Sequence, residues 1–463
     1  MDRNRYADLL RVLAMGAVVY GHWLVTDITY QNGQFGGLDA LGYIRWGRWG
    51  TLLFQVLPVF FLVGGYANAT SWTAHRADTW AGWVRRRAIR LLRPTTVYVV
   101  VAVLAVTGAR YAHASPAVLA QAGRLVALQL WFLPVYLLLI VLTPALLAAH
   151  RRWGLSVPAV MAAAAAIVDV GVLRLHLPVV GFANYLLVWG TMHQWGFAWR
   201  DGSLTHPRWR PVALAVAGAL ALAGLLRWGP FPVDMIGDGE RVTNTTPPSI
   251  ALLAYGAAQI GVLLTLEPAA SWLLRRPGLW RSVTRLNDKA MTVYLWHMAP
   301  VIIIAIVLYP AGLLPQPAIA TASWWALRLA WFVLLTEVLV LIVLAFSWAD
   351  QPRAGTRPGS RGRPGSPGRP GSPGRPDPAG RPGSPGRPAP SAAPGAILLA
   401  GLAAVMVGLA RLAIAGFAPG GQLPVPVLVV YAVGLTGVAA APLLVRRKGA
   451  PGRAPAPTLT GRN

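Results

Sequence analysis

The sequence predicts an all-α, polytopic membrane protein, and both composition and patterning point to that fold class. Of the 463 residues, 55% are hydrophobic and only 12% are charged, and the mean hydropathy is +0.52. The apolar residues occur in long runs, and a run of about 20 such residues crosses a bilayer as a helix. The alternating segments of about ten residues that mark a membrane β-barrel are not found in the sequence.

Twelve apolar runs are predicted to be spans. They lie at about 8–27, 51–70, 94–109, 126–149, 156–173, 182–199, 211–226, 248–266, 289–309, 322–346, 395–415 and 423–445. A repeat rich in Arg, Pro, Gly and Ser follows the tenth run, and its prolines exclude helix and sheet. The predicted organisation is a ten-span domain at 1–350, a disordered cytoplasmic linker at 351–394, a two-helix membrane hairpin at 395–447 and a cytoplasmic tail at 448–463.

The charges predict the orientation. Lys and Arg number 41 against 15 Asp and Glu, which gives a net charge of +26. Most of the arginines lie in alternate loops, so the positive-inside rule predicts a multi-pass protein of the cell membrane with both termini cytoplasmic. The bilayer, rather than nucleic acid, is the partner that this charge indicates, because no nucleic-acid-binding module accompanies it. The first run lacks a cleavage site and reads as a retained helix. No cysteine is present, which excludes thiol chemistry.

Ionisable side chains inside a span are costly and mark candidate functional sites. The candidates are Arg11, His22, Asp169, His193, His297 and Glu337. Arg11 and His22 are eleven residues apart, which is about 1100° of helical rotation, so both project from one helix face about 16 Å apart. Asp8 lies on the same face and can pair with Arg11. The residues alone leave an alternative open, in which Arg11 snorkels to the surface and His22 bonds to a neighbouring helix.

Five segments in chain order resemble the acyltransferase-3 superfamily of integral membrane acyltransferases. They are "DLLRVLAMGAVVYGH" from Asp8 to His22, "PVFFLVGGYANA" at 58–69, "RRRAIRLLRP" at 85–94, "LWFLPVYLLL" at 130–139 and "NDKAMTVYLWHMAPV" at 287–301. Together they cover the first ten predicted spans. Gly64 departs from the family pattern, which often has serine there, so any role of that hydroxyl is absent and close helix packing is the simpler account.

The resemblance implies transfer of an acyl group, often acetyl, from a cytoplasmic acyl-CoA-type donor to a hydroxyl of a carbohydrate or another acceptor. Acetyl-CoA or another acyl-CoA would then be a co-substrate, with no permanently bound cofactor. His22 would be the base that takes the hydroxyl proton. Arg11 would bind a donor phosphate or support the site electrostatically, and Arg87 and Arg90 would bind the phosphates of CoA. Anchoring to anionic lipid is the alternative for these arginines.

Other candidates have open roles. His297, with Tyr294 beside it, is either a second acid/base on the acceptor path or a hydrogen-bonded structural residue. His193 either gates the path or bonds between helices. Glu337 is expected to face the bundle and find a partner there, and Asp169 is expected to be solvated near an outer helix end.

Two further function classes stay open at this stage. One is a membrane transporter or flippase, although the two halves of the chain show no evident repeat. The other is an acyltransferase-like scaffold with altered chemistry on an isoprenoid or polyketide. The histidines are too scattered to predict a metal site. The small residues of the last two helices predict tight helix packing, within one chain or in a homo-oligomer.

Overall fold

A computed structural model describes residues 4–44, 46–75, 78–237, 242–350 and 393–441. The helices are α1 (Arg5–Val25), α2 (Gly47–Phe54), α3 (Leu57–Ala74), α4 (Trp80–Tyr111), α5 (Pro116–Ala127), α6 (Phe132–Trp153), α7 (Ser156–Arg174), α8 (Asn184–Arg200), α9 (Trp209–Trp228), α10 (Ile250–Leu273), α11 (Pro277–Asn287), α12 (Ala290–Trp296), α13 (Ala299–Leu308), α14 (Ala322–Phe346), α15 (Ala393–Ala415) and α16 (Val425–Ala440). The predicted tail at 448–463 and all but the last two residues of the predicted linker lie outside the described residues.

The predicted polytopic helical fold is confirmed. Within the described chain, nine helical segments are long and apolar enough to cross a membrane, and the α12–α13 pair, bent by 45°, makes a tenth. The two remaining predicted spans are helical but shorter, with 17 residues in α8 and 16 in α16. Helix α8 lies in the middle of the bundle, where thirteen of its residues are buried.

A β-hairpin joins α1 to α2, which the all-α prediction did not include. Strands β1 (Thr26–Gln31) and β2 (Gln34–Asp39) pair antiparallel, with Thr26 opposite Asp39 and Gln31 opposite Gln34. The two connecting residues, Asn32 and Gly33, have φ values of 51° and 78°. Positive φ at both positions is the signature of the tight turn that an Asn-Gly pair favours. The sequence therefore carried the signal for this hairpin.

The two ends of the bundle differ in charge. One end carries the start of α1, the arginine-rich start of α4, the end of α6 and the helix α11, and we call it the arginine end. The opposite end carries the hairpin β1–β2 and the 309–321 loop, and we call it the hairpin end. Gln316 links these two elements, since its side-chain amide accepts from the Tyr30 N–H at 2.6 Å and donates to the Tyr30 carbonyl at 2.8 Å.

Glycine permits the closest helix contact in the core. A Cβ on Gly65 of α3 would collide with the backbone of His193 on α8, and one on Gly196 would collide with the backbone of Leu62. The backbones of α3 and α8 therefore touch, as small residues allow in membrane helices. A Cβ on Gly64 would lie 2.6 Å from the Tyr136 ring, so this position also has no room for a serine without a shift of that ring.

The last two helices pack on the rest of the bundle. Leu402 and Leu409 of α15 are fully buried in the same apolar cluster as Trp83 and Leu133. A polar contact joins the Tyr431 hydroxyl to Thr96 at 3.0 Å. The small residues do mediate close packing between α15 and α16, as their spacing predicts. The division of the chain into a ten-span domain and a separate hairpin remains a prediction.

Candidate active site

Helix α1 carries polar side chains at both of its ends. The Asn4 side chain accepts from the Ala7 N–H at 3.0 Å and so caps the helix, and Asp8 in the first turn suits the positive end of the helix dipole. Arg11 follows one turn later, and His22 lies in the last turn. The helix runs unbroken from Arg5 to Val25, so Arg11 and His22 are held at fixed depths in the bundle.

Asp8 and Arg11 form a cluster with Asn287 at the arginine end. The Asp8 carboxylate accepts from Arg11 Nη1 at 3.4 Å and from Asn287 Nδ2 at 3.0 Å. Arg11 Nη1 also donates to Asn287 Oδ1 at 2.9 Å. The predicted pairing of Asp8 with Arg11 is present, and it ties α1 to α11. Asp8 is 6% exposed, so the carboxylate is a buried support for the half-buried Arg11.

His22 and His297 face each other at the other end of α1. Their ring centroids lie 5.3 Å apart. His297 occupies the break between α12 and α13, where the chain bends by 45°. The Trp23 indole donates to the His297 backbone carbonyl at 2.6 Å and so fixes this break against α1. Two helices that are remote in sequence thereby place two imidazoles in contact.

The tautomer of neutral His297 follows from its hydrogen bond. Its Nδ1 lies 2.7 Å from the Tyr294 carbonyl, which can only accept, so Nδ1 carries the proton. Nε2 then holds the lone pair, and it is buried with no hydrogen-bond partner in the described structure. His22 keeps some accessible surface, and none of the described residues hydrogen-bonds to its ring. Both imidazoles thus have a nitrogen available for a substrate proton.

Arg87 anchors a second polar network. Its guanidinium donates to Asn68 Oδ1 and bonds to the Tyr136 hydroxyl, and it lies within electrostatic range of Arg90 and Arg11. The Asn68 amide then donates to His193 Nε2 at 3.2 Å. Arg87 is half-buried and Arg90 is exposed. Arg11 of α1 therefore lies within electrostatic range of Arg87 of α4, which shares its helix with Arg90, so the three arginines predicted for the donor lie near one another.

Two residues of the predicted substrate path have local structural partners. The Tyr294 hydroxyl donates to the backbone carbonyl of Gln129, and Tyr294 is buried. His193 is fully buried and bonded to Asn68, with its Nδ1 left without a partner among the described residues. Tyr294 thus bonds to His297 through its backbone carbonyl, and His193 is linked to Arg87 through Asn68.

Two expectations are wrong. Glu337 does not face the bundle, because it is exposed on α14 while Leu335 and Leu339 are buried. Two residues along a helix amount to about 200° of rotation, so the position between two buried leucines points outward. Asp169 is not solvated. Its two carboxylate oxygens accept from the Asn184 side chain and the Ile250 N–H, each at 2.7 Å, and it is 8% exposed.

Sequence reasoning missed several polar residues. Asn68, Tyr136 and Asn287 lie inside the quoted family segments, so the segments themselves were the signal for them. Arg328 lies in the predicted span 322–346, so the free-energy cost of a charge inside the membrane marks it as a candidate in the same way as Arg11. In the structure it is 6% exposed. It pairs with Asp27 of β1 at the hairpin end. Nothing in the described structure groups three or more metal-ligating side chains.

The helical bundle thus holds a cluster of arginines with their polar partners at one depth and a pair of imidazoles at another. The acyltransferase-3 family, described as an acyltransferase domain, matches residues 4–348, and the chain belongs to that family. The match covers the first fourteen helices, whereas α15 and α16 lie beyond it. Comparisons with curated proteins and with solved structures gave no significant match.

Proposed function

We propose that this protein is an integral membrane O-acyltransferase that moves an acyl group, acetyl in the simplest case, from an acyl-CoA-type donor to a hydroxyl. One observation carries the proposal. Each of the five family segments contributes a side chain to one polar cluster at the arginine end, which consists of Asp8, Arg11, Asn68, Arg87, Tyr136 and Asn287. The first and last of these segments also supply the facing pair His22 and His297. Packing alone does not require remote segments to bring their polar groups together.

The donor is assigned to the arginine end. Arg11, Arg87 and Arg90 supply three guanidinium groups, and planar guanidinium donors suit phosphate oxygens. Asp8 and Asn287 orient Arg11, while Asn68 and Tyr136 orient Arg87. A donor that binds its phosphates there extends its thioester along α1 toward His22.

The transfer uses His22 as the base. His22 takes the proton of the acceptor hydroxyl while that oxygen forms a bond to the acyl carbon. The carbon–sulfur bond of the thioester then breaks, and the thiolate leaves with the proton that His22 has taken up. The products are the O-acyl ester and the free thiol, so atoms and charge balance. In this proposal, the lone pair on His297 Nε2 stabilises the protonated form of His22, whose ring centroid lies 5.3 Å from that of His297.

The test is transfer of label from radiolabelled acetyl-CoA to a panel of hydroxyl acceptors by the purified protein in lipid nanodiscs. His22→Asn is expected to lower kcat by about a hundredfold or more, the usual weight of a general base. His176→Asn is the matched control, because His176 is exposed and has a φ of 55°, which Asn tolerates. Full turnover by the His22 variant would overturn the assignment of the base.

The donor site has its own test. Arg87→Gln is expected to raise the KM for acetyl-CoA about tenfold or more, the worth of one charge-assisted hydrogen bond. Arg152→Gln, at an exposed arginine of the same end, is expected to leave the KM unchanged. Failure of the unmodified protein to bind acetyl-CoA and other acyl-CoA thioesters would overturn the acyltransferase proposal itself.

A further inference from the structure

The last two helices lie beyond the family match, and the chain between them packs closely on α5. Phe417 follows the end of α15, and its N–H donates to the Gly123 carbonyl at 3.1 Å. A Cβ on Gly123 would lie 2.8 Å from the backbone nitrogen of Ala418, so this approach leaves no room for a side chain. The Phe417 side chain is fully buried. The connection between α15 and α16 is therefore a fixed part of the bundle, and the mechanism above has not used it.

Phe417 packs on Tyr98, a buried residue of α4. The two rings lie edge to face, with centroids 6.2 Å apart. Tyr98 makes the same kind of contact with Trp296, at a centroid distance of 5.0 Å. Aromatic pairs have preferred geometries, so these rings orient one another as well as fill space. One tyrosine thus joins the C-terminal connection to the last residue of α12, which directly precedes His297.

The Tyr98 hydroxyl belongs to a buried hydrogen-bond network around Gln129, which lies between α5 and α6. The hydroxyl donates to the Val126 carbonyl. The Gln129 side-chain amide donates to the Tyr98 hydroxyl at 2.9 Å and to the Leu295 carbonyl at 2.7 Å. The Gln129 backbone carbonyl accepts from the Tyr294 hydroxyl. Buried polar groups are costly to leave without a partner, so this network holds the end of α12 in one place relative to α4.

These contacts converge on the break that presents His297. The last three residues of α12, 294–296, each bond to or stack against Tyr98 or Gln129. Tyr294 also supplies the carbonyl that accepts from His297 Nδ1. Helix α12 has seven residues and is bent by 45° from α13, so contacts with other helices set its direction. A displacement of Tyr98 would therefore be passed to the imidazole of His297.

We propose that Phe417 is a positioning residue for His297, and that the connection between α15 and α16 helps to set the geometry of the imidazole pair. The proposal rests on the acyltransferase function put forward above and extends it to helices that the family match does not cover. Phe417 acts through Tyr98 on the last three residues of α12. A shift of these residues changes the separation of His297 from His22, and with it the rate of the chemical step.

The first test is the Phe417→Leu variant, measured by acetyl transfer from labelled acetyl-CoA with the full-length protein in nanodiscs. The substitution is expected to lower kcat about fivefold, because a slightly misplaced reacting group slows the chemical step. The KM for acetyl-CoA should stay unchanged, since the donor contacts lie at the other end of α1.

Leu398→Ala is the matched control. It also removes three carbon atoms from the same buried cluster, but Leu398 lies about 26 Å along α15 from the end that precedes Phe417. A similar loss of melting temperature with an unchanged kcat is expected. Equal losses of kcat in the two variants would overturn the proposal, because general destabilisation would then explain both.

A double variant shows whether Phe417 acts through His297. If it does, Phe417→Leu has nothing left to displace once the imidazole is gone. The combination with His297→Gln should then have the same kcat as His297→Gln alone. Losses of kcat that multiply would indicate an independent structural effect and would overturn the proposal.

Tyr98→Phe tests the same link with the ring retained. It removes the hydroxyl that bonds to Gln129 and Val126, so kcat should fall while the KM for acetyl-CoA stays unchanged. Tyr111→Phe, at a tyrosine of α4 that is 82% exposed, is the matched control and should change neither value. An unchanged kcat for Tyr98→Phe would overturn the role of Tyr98 as the link.

Hydrogen exchange of the backbone amides gives a readout that does not depend on activity. Phe417→Leu is expected to speed exchange at 294–299 severalfold, and Leu398→Ala is not, because lost contacts favour local opening. Faster exchange in a protein that binds no acyl-CoA would support the positioning role and overturn the acyltransferase function. Unchanged exchange and kcat in a protein that transfers acetyl groups would overturn the positioning role and leave the function in place.

Discussion

His297 is the residue whose geometry most directly supports a role in the chemistry. Its Nδ1–H donates to the Tyr294 carbonyl, its Nε2 has no hydrogen-bond partner in the described structure, and its ring centroid lies 5.3 Å from that of His22. We expect His297→Gln to lower kcat about tenfold or more while the KM for acetyl-CoA stays unchanged, because the donor contacts lie at the other end of α1. Steady-state kinetics with labelled acetyl-CoA measure both values.

The contrasting variant is His193→Gln. His193 accepts from Asn68, which in turn accepts from Arg87, so this change should raise the KM for acetyl-CoA more than it lowers kcat. If the two histidine variants gave the same pattern, the separation into a donor network and an imidazole pair would be wrong.

Asp201 follows α8 at the arginine end, where its carboxylate accepts hydrogen bonds from Ser203 and His150. Its ionisation makes the free energy of unfolding depend on pH. Burial opposes that charge, but hydrogen bonds from Ser203 and from His150, the latter at 2.7 Å, outweigh it and lower the pKa of Asp201 below its usual value. A lowered folded-state pKa gives stability that is complete above the ordinary value of about 4 and is lost as the pH falls through the folded value.

The prediction for Asp201 is a pH-dependent difference in melting temperature. Asp201→Asn should melt below the unmodified protein at neutral pH, and the gap should narrow as the pH falls below about 4. Thermal unfolding in a fixed detergent across this pH range measures it. A difference in melting temperature that increased as the pH fell would contradict the lowered pKa of Asp201.

For single residues, the sequence could predict the relative positions of side chains that lie on the same helix. The helical period alone predicts that Asp8, Arg11 and His22 project from one face of α1. The contact between His22 and His297 depends on how α1 meets the α12–α13 break, and no local pattern encodes that. Glu337 shows the same limit, because α14 is apolar on all sides and its sequence does not indicate which face is buried.

At the scale of elements, the close approach of α15 and α16 depends on glycine. A Cβ on Gly434 would lie 2.6 Å from the backbone nitrogen of Val405, whereas Gly395 has nothing within 4 Å of its Cβ position. Gly434→Ala is therefore expected to destabilise the protein by about 1–3 kcal/mol, because one helix must move. Gly395→Ala should be neutral or slightly stabilising, since alanine favours the helix by up to about 1 kcal/mol. Melting temperatures of the two variants provide the comparison.

The Gly434→Ala and Gly395→Ala variants also test whether the packing of α15 and α16 affects the binding of acetyl-CoA. Arg85 Nε donates to the carbonyl of Val438 at 2.9 Å, which joins α16 to the arginine-rich start of α4. If α16 is displaced in Gly434→Ala, the KM for acetyl-CoA should rise as well. Equal melting temperatures for the two variants would contradict the close packing.

Helix positions were predictable because apolar runs of span length have few alternatives in a bilayer. The β-hairpin was not predicted, although Asn32-Gly33 is a strong turn signal, because its second strand holds Gly36 and Gly37 and glycine is depleted in strands. The break at His297 was also missed, since residues 289–309 read as one continuous apolar run. Breaks of this kind depend on tertiary contacts such as the Trp23 bond to the His297 carbonyl.

At the scale of the whole molecule, the two ends of the bundle are chemically different. At the arginine end, Arg11 of α1 and Arg90 of α4 lie within electrostatic range of Arg87, whereas a cavity at the hairpin end is lined by the oppositely charged pair Asp27 and Arg328. An acyl-CoA thioester is a cytoplasmic compound, so the proposed chemistry requires the arginine end to be cytoplasmic. The positive-inside rule predicts the same orientation from loop charges alone. Both arguments draw on the arginines at the start of α4, so the orientation needs a measurement of its own.

The orientation can be measured directly because the chain lacks cysteine. Gln34→Cys puts a thiol on the exposed hairpin, and Ser282→Cys puts one on the exposed face of α11 at the arginine end. In intact cells, a membrane-impermeant maleimide should label Gln34→Cys, while Ser282→Cys should react only after the membrane is permeabilised. The reverse pattern would place the arginine cluster outside, away from any cytoplasmic acyl-CoA, and would overturn the donor assignment. It would leave the contact between His22 and His297 unaffected, since that contact depends on packing and not on the direction of insertion.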